Sequence, residues 1–201
     1  MRVLIVGGTG LIGGAVASAL EARGHVVVRA GVADGDVQVD MADPRSIELM
    51  YAAVEAPNAL VCAAGVAQFG PLAQLTDAQF ASSVASKLMG QVNLVRRGLG
   101  RVREGGSFTL TSGDLSQLPS PGSTAVTLTG AAVEAFARAA ALDLEGRYRV
   151  NVVSPVWVAE SRVRAGLPPM PGIWAKDLAE YYVRLVEGEA TGQVVNVAAG
   201  T

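Results

Sequence analysis

Cysteine, histidine and lysine are nearly missing: the 201 residues hold one cysteine, one histidine and two lysines, Lys87 and Lys176. A lone cysteine, Cys62, excludes an internal disulfide and fits a reducing compartment. One histidine and no Cys/His cluster exclude a zinc site of ordinary ligand spacing. Charge is scarce as well, at 17% of residues with a net of −2, which offers no general attraction to nucleic acid or anionic lipid. Four arginines do gather at Arg96, Arg97, Arg101 and Arg103, and read as a solvated helix end whose dipole favours cations. Val3 to Leu20 lacks charge, and Ala17-Ser18-Ala19 imitates a leader cleavage site. Five glycines interrupt that stretch, so a strand, a tight turn and a helix explain it better than an export leader. No other stretch approaches a membrane span. The expectation is a cytoplasmic protein that binds neither nucleic acid nor membrane.

Half of the residues are apolar, enough for a substantial core, and the length suits one domain. Apolar, β-branched runs predict strands at Arg2–Val6, His25–Arg29, Val37–Val39, Ala59–Cys62, Ser107–Thr111, Arg149–Val153 and Gln193–Val197. Between them lie helical segments: Leu11 to Arg23, Asp43-Pro44 through Glu55, Thr76-Asp77 towards Leu99, about 123–145, and about Trp174 to Glu187. A proline-punctuated stretch with Pro168, Pro169 and Pro171 precedes the last helix. Strand and helix therefore alternate throughout. That predicts a single α/β domain, a Rossmann-type doubly wound sheet of seven parallel strands with helices on both faces.

Gly7, Gly10 and Gly13 stand between the first strand and its helix, in the run Gly7-Gly8-Thr9-Gly10-Leu11-Ile12-Gly13. One glycine permits a tight turn, one lets backbone approach a pyrophosphate, and one lets the helix pack on the strand. The helix N-terminus then offers free N–H groups to the phosphates. This turn predicts a nicotinamide dinucleotide site that includes Thr9, Leu11 and Ile12. Discrimination between the two nicotinamide cofactors should lie at the end of the second strand, where Arg29, Ala30 and Gly31 stand. Arg29 leans the reading towards NADP; Asp34 or Asp36, folding back to a ribose 2′-OH, would reverse it towards NAD.

Taken in order, further segments make the chain similar to the short-chain dehydrogenase/reductase family over nearly its whole length. They are Val39-Asp40, Cys62-Ala63-Ala64-Gly65, Leu110-Thr111-Ser112, Ala131 to Phe136, Arg149 to Pro155 and Gly192 to Val197. The resemblance implies that Asp40 binds the adenine amino group and that Ala63, Ala64, Gly65 and Pro155 line the nicotinamide side. It implies an oxidoreductase acting on a small carbonyl or alcohol, assembled as a homodimer or homotetramer through the helices at about 77–99 and 123–145. Family members use a serine, then a tyrosine and a lysine four residues apart. Ser112 matches the serine, but Val126 and Gly130 occupy the other two positions. A valine and a glycine can neither donate a proton nor grip a ribose, and general acid help is worth about 10² to 10⁴ in rate. Lys87 occupies the position of the family's helix asparagine and is the candidate cation, able to polarise a substrate oxygen or bind an anionic substrate. Two other functions stay open: a non-catalytic dinucleotide-binding protein, and a non-redox enzyme on the same fold.

Overall fold

β1 (Arg2–Val6) is a buried apolar strand that ends at Gly7, whose φ of +82° suits glycine and turns the chain sharply into α1 (Leu11–Ala22). The remaining elements follow as β2 (Val26–Gly31), β3 (Val37–Gln38), α2 (Pro44–Ala53), β4 (Ala59–Cys62), α3 (Asp77–Ser83), α4 (Gly90–Gly98), β5 (Ser107–Thr111), α5 (Thr124–Asp143), β6 (Arg149–Pro155), α6 (Ala159–Arg164), α7 (Ala175–Glu187) and β7 (Val194–Val197). A computed structural model describes residues 1–164, 166 and 172–199. Pro168, Pro169 and Pro171 lie outside the described residues.

The strands form one seven-stranded sheet in the order β3-β2-β1-β4-β5-β6-β7, with every pairing parallel. This is the doubly wound sheet expected from the alternation of elements. Leu4, Leu60, Phe108 and Val150 face one core layer, shared with Ile47, Leu94 and Val133 of the helices. Val3, Ile5 and Val61 face the other, with Leu20 of α1 and Leu178 and Tyr182 of α7. α5 is long and apolar enough to cross a membrane by length and composition alone, yet Val133, Ala137 and Ala140 bury it in the first core layer.

Several boundaries differ from the sequence expectation by a residue or two, and three differences bear on the site. β2 continues two residues past Arg29, because Ala30 and Gly31 still pair with Val6 and Gln38 on its two sides. β6 likewise runs on to Pro155, paired with Val197 of β7. The helix expected from Asp77 to Leu99 is interrupted: Val84–Met89 is π-helical, between α3 and α4. The wider turn changes which side chains face the sheet, and here it carries Lys87.

Candidate active site

In this strand order the connections leaving β1 and β4 run in opposite directions, to β2 and to β5, which opens a crevice at the carboxyl ends of both strands. The glycine turn borders it. A Cβ on Gly13 would meet the Gly7 carbonyl oxygen at 2.1 Å, so only glycine lets α1 sit this close to the turn. A Cβ on Gly7 would meet the Ala63 carbonyl oxygen at 2.8 Å. Gly10 caps α1 without a side chain, leaving the first helical N–H groups directed out of the helix end. A groove of about 320 Å³ runs from here past Thr9, Gly31, Val32 and Asp40 to Ala63, Ala64 and Gly65. Its bare backbone cradle and helix N-terminus fit a dinucleotide pyrophosphate.

The sequence-expected cofactor residues divide. Gly7, Thr9, Gly10, Asp40, Ala63, Ala64 and Gly65 line the groove, while Ile12 and Pro155 line the adjoining cavity. Asp40 is held by its own loop, its carboxylate accepting from the Ala42 N–H at 2.9 Å. Leu11 packs against the core layer shared by α1 and α7. Arg29 stands beside the glycine turn, where a Cβ on Gly8 would meet its side chain at 3.0 Å, but its guanidinium makes a two-pronged pair with Glu21 at 2.8 and 2.9 Å and is not among the residues lining the groove. Because β2 is longer than expected, Gly31 and Val32 border the groove, beyond the strand end expected at Arg29. Asp36 folds back as well, but onto the Arg29 N–H at 2.8 Å, and it lines no part of the groove.

Ala63, Ala64 and Gly65 also wall a second cavity, of about 270 Å³, on the other side. Here the structure brings together Ser112, Lys87, Asp114 and Val126, with Phe69 and Trp157 at one wall. The two rings are stacked, with centroids 6.0 Å apart. Trp174, the other tryptophan of the region, borders a different surface hollow. Phe69 could not be singled out from sequence, since it stands alone in a loop without a motif. That loop is held against the π-helical turn, where the Ser86 and Ser83 hydroxyls accept from the N–H groups of Val66 and Gln68. Gln91 locks the next turn to β5, donating to the Thr111 carbonyl and accepting from its N–H.

Lys87 lies across Gly65, and a Cβ there would meet its Cδ at 3.0 Å. Burial lowers its ammonium pKa below the ordinary lysine range, and among the described residues no carboxylate pairs with it. Burial also raises the Asp114 carboxyl, against the backbone N–H of Leu115. The Cys62 thiol, buried beneath, is pushed up to about 11 by desolvation.

Ser112 has a carboxylate beside it. Its hydroxyl donates to Oε1 of Glu134 at 2.8 Å, and Ser116 and Ser154 donate to the same oxygen. Glu134 follows Gly130 by one turn of α5 and is 4% exposed. With the Ser112 proton committed to a carboxylate, the oxygen lone pairs are left for the cavity. Gly130 itself is closed off, since a Cβ there would stand 3.3 Å from the Ser116 Cβ. Glu134→Leu removes the acceptor of three hydroxyls and should cost about 1–3 kcal/mol. Urea denaturation checks this, with Glu134→Gln, which keeps one acceptor oxygen, closer to the unaltered protein.

These features match one family. A family model described as enoyl-(acyl carrier protein) reductase matches residues 9–199. The chain belongs to the short-chain dehydrogenase/reductase family. Among solved structures of this kind, the protein lin1944 from Listeria innocua is 36% identical with a TM-score of 0.91, over 98% of this chain and 99% of that one. A small-chain dehydrogenase in complex with NADPH is 27% identical with a TM-score of 0.86, over 98% and 96%. The 2,3-dihydro-2,3-dihydroxybenzoate dehydrogenase of Escherichia coli (strain K12) is 30% identical over 124 residues, 58% of this chain. The match spans half the length of that curated relative, 50%.

Proposed function

We propose that this short-chain dehydrogenase/reductase binds NADP, with NAD as the weaker cofactor, and interconverts a small carbonyl compound and its alcohol. The observation that carries the reading is the shared wall: Ala63, Ala64 and Gly65 separate a phosphate-binding groove from a cavity holding Ser112 and Lys87. The NADPH bound by a 27% identical relative supports the choice of cofactor. When bound, the dinucleotide supplies or accepts the hydride. Gly7, Gly10 and Gly13 hold its pyrophosphate, Thr9, Leu11 and Ile12 complete the turn, and Asp40 takes the adenine end. Arg29, at present paired with Glu21 in a partly exposed ion pair, reaches a 2′-phosphate only by leaving that partner.

Ser112 positions the substrate oxygen. Its lone pairs accept from an alcohol hydroxyl, and for a carbonyl oxygen its proton turns from Glu134, which keeps Ser116 and Ser154 as donors, to the substrate. Lys87, on the wall of the same cavity, lends it a positive potential that favours a substrate carrying or developing negative charge. The proton comes from water or substrate, since Val126 offers none. The reading extends to a cytoplasmic enzyme with no nucleic-acid or membrane partner, assembled as a homodimer or homotetramer. Leu128 and Leu142, exposed on α5 at 48% and 77%, support such a packing face.

The test is oxidation of NADPH, followed spectrally, against a panel of small aldehydes and ketones. Turnover is expected, and Ser112→Ala should lower it by about 10² without a matching loss of NADPH affinity. Tight NADPH binding with no turnover across the panel would favour the non-catalytic reading. Conversion of a substrate with no net change in NADPH would favour a non-redox enzyme.

A further inference from the structure

Among the described residues no carboxylate answers the charge of Lys87. Its ammonium borders a cavity whose other walls are aliphatic or aromatic, apart from Thr111, Ser112, Asp114, Ser161 and backbone. Among the described residues its ammonium forms neither an ion pair nor a hydrogen bond, and the Gln91 amide, which also bonds Thr111, reaches only the backbone carbonyl of Lys87. A partly buried cation without a partner is costly, and a protein ordinarily neutralises it. Asp114 does not do so: its carboxyl is turned to the backbone of its own 3₁₀ turn, Asp114–Ser116, and borders a second hollow with Gln117 and Asn196. The phosphates of a dinucleotide do not do so either. They belong to the groove at the α1 N-terminus, which is lined by Ser86 and not by Lys87.

We infer that the cavity takes a small monocarboxylate with a flat apolar body, its carboxylate on the Lys87 ammonium and its body against Phe69, Trp157 and Val126. This inference rests on reading the cavity as the substrate site. A single ammonium neutralises a single charge, which favours a carboxylate over a phosphate dianion. The stacked Phe69–Trp157 pair gives a flat apolar wall, and rings prefer offset or edge contacts with such a pair. The volume, about 270 Å³, is shared with the nicotinamide expected against Ala63, Ala64, Gly65 and Pro155, so beside the cofactor it suits a molecule of no more than one ring. Substitution of a phenol by Val126 widens the apolar wall at the point where the body would rest. Lys87 would thus set specificity, favouring oxo- or hydroxy-acids over neutral ketones.

Benzoate and benzamide share one shape and differ in charge, so they probe this inference directly. Each is titrated calorimetrically into the free protein and into protein held in excess NADPH. Benzoate should bind at least tenfold more tightly than benzamide, and Lys87→Met should erase that ratio. The variant should also melt about 2–4 °C higher without ligand, because it replaces an unpaired cation by an apolar chain of similar length. A folded, stabilised variant that no longer prefers benzoate separates the loss from misfolding. Equal affinities in the unaltered protein, or no measurable benzoate binding, would overturn the inference. Failure to bind NADPH would instead count against the cofactor reading, and the titration of the free protein would still decide the carboxylate question.

Discussion

Gly13→Ala should abolish dinucleotide binding, weakening the affinity for NADPH by about a hundredfold or more, which is about 2.8 kcal/mol at 1.4 kcal/mol per decade. The reason is distance. The added methyl would lie 2.1 Å from the Gly7 carbonyl oxygen and 2.7 Å from its carbonyl carbon, both of them backbone. Neither can rotate away as a side chain would. Either α1 retreats from the turn or the turn itself opens, and both outcomes move the helix N–H groups off the pyrophosphate. A substitution at Gly14, one residue later, is the matched control. Its Cβ would find the nearest atom at 3.8 Å, an ordinary contact, so Gly14→Ala should bind NADPH about as the unaltered protein does. Calorimetric titration of the two variants, with thermal melting alongside, separates a local loss of the cradle from general unfolding.

Val126→Tyr is expected to raise carbonyl reduction on the order of 10², the lower end of what a positioned acid contributes. Val126 already lines the cavity with Ser112 and Lys87, so a phenol at this position would enter a site that has an ammonium nearby. Restoring the second family residue is a poorer test. A side chain at Gly130 must pass the Ser116 Cβ, 3.3 Å from its own first carbon, and would disturb the serine hydroxyls gathered on Glu134. Val126→Tyr paired with Lys87→Met should lose most of the gain, because the phenol then has no neighbouring cation to lower its pKa. Turnover of one aldehyde by the three forms measures both effects. A Val126→Tyr protein that binds NADPH yet reduces no faster than its parent would show that the ammonium and the serine are not arranged around a reacting oxygen.

Much of this architecture was legible in the residues. β1 and β4 read as uninterrupted apolar runs because both of their faces are buried, and their limits in the structure are those expected from sequence. The glycine turn was legible for a different reason: Gly7 is required by a positive φ and Gly13 by a close approach, so composition records geometry there. Lys87 and Ser112 do meet in one cavity, although they lie on different elements.

What escaped was set by contacts between distant segments. Arg29 looked like the end of its strand, and its preference for Glu21 depends on how α1 lies over β2. The π-helical turn leaves no compositional mark; just after it the chain packs closely, since a Cβ on Gly90 would meet the Met41 side chain at 2.9 Å. Glu134 was read as part of a family segment, yet its three serine partners come from three different places, the end of β5, the 3₁₀ turn and β6. No local pattern announces such a convergence. Phe69 reaches the cavity only because Ser83 and Ser86 fasten its loop.

The most direct measurement is calorimetric titration of the purified protein with NADPH and, separately, with NADH. Binding of NADPH at micromolar strength or better, and more tightly than NADH, is the expected result. Binding of neither would contradict the central claim, leaving the glycine turn as a packing device between β1 and α1.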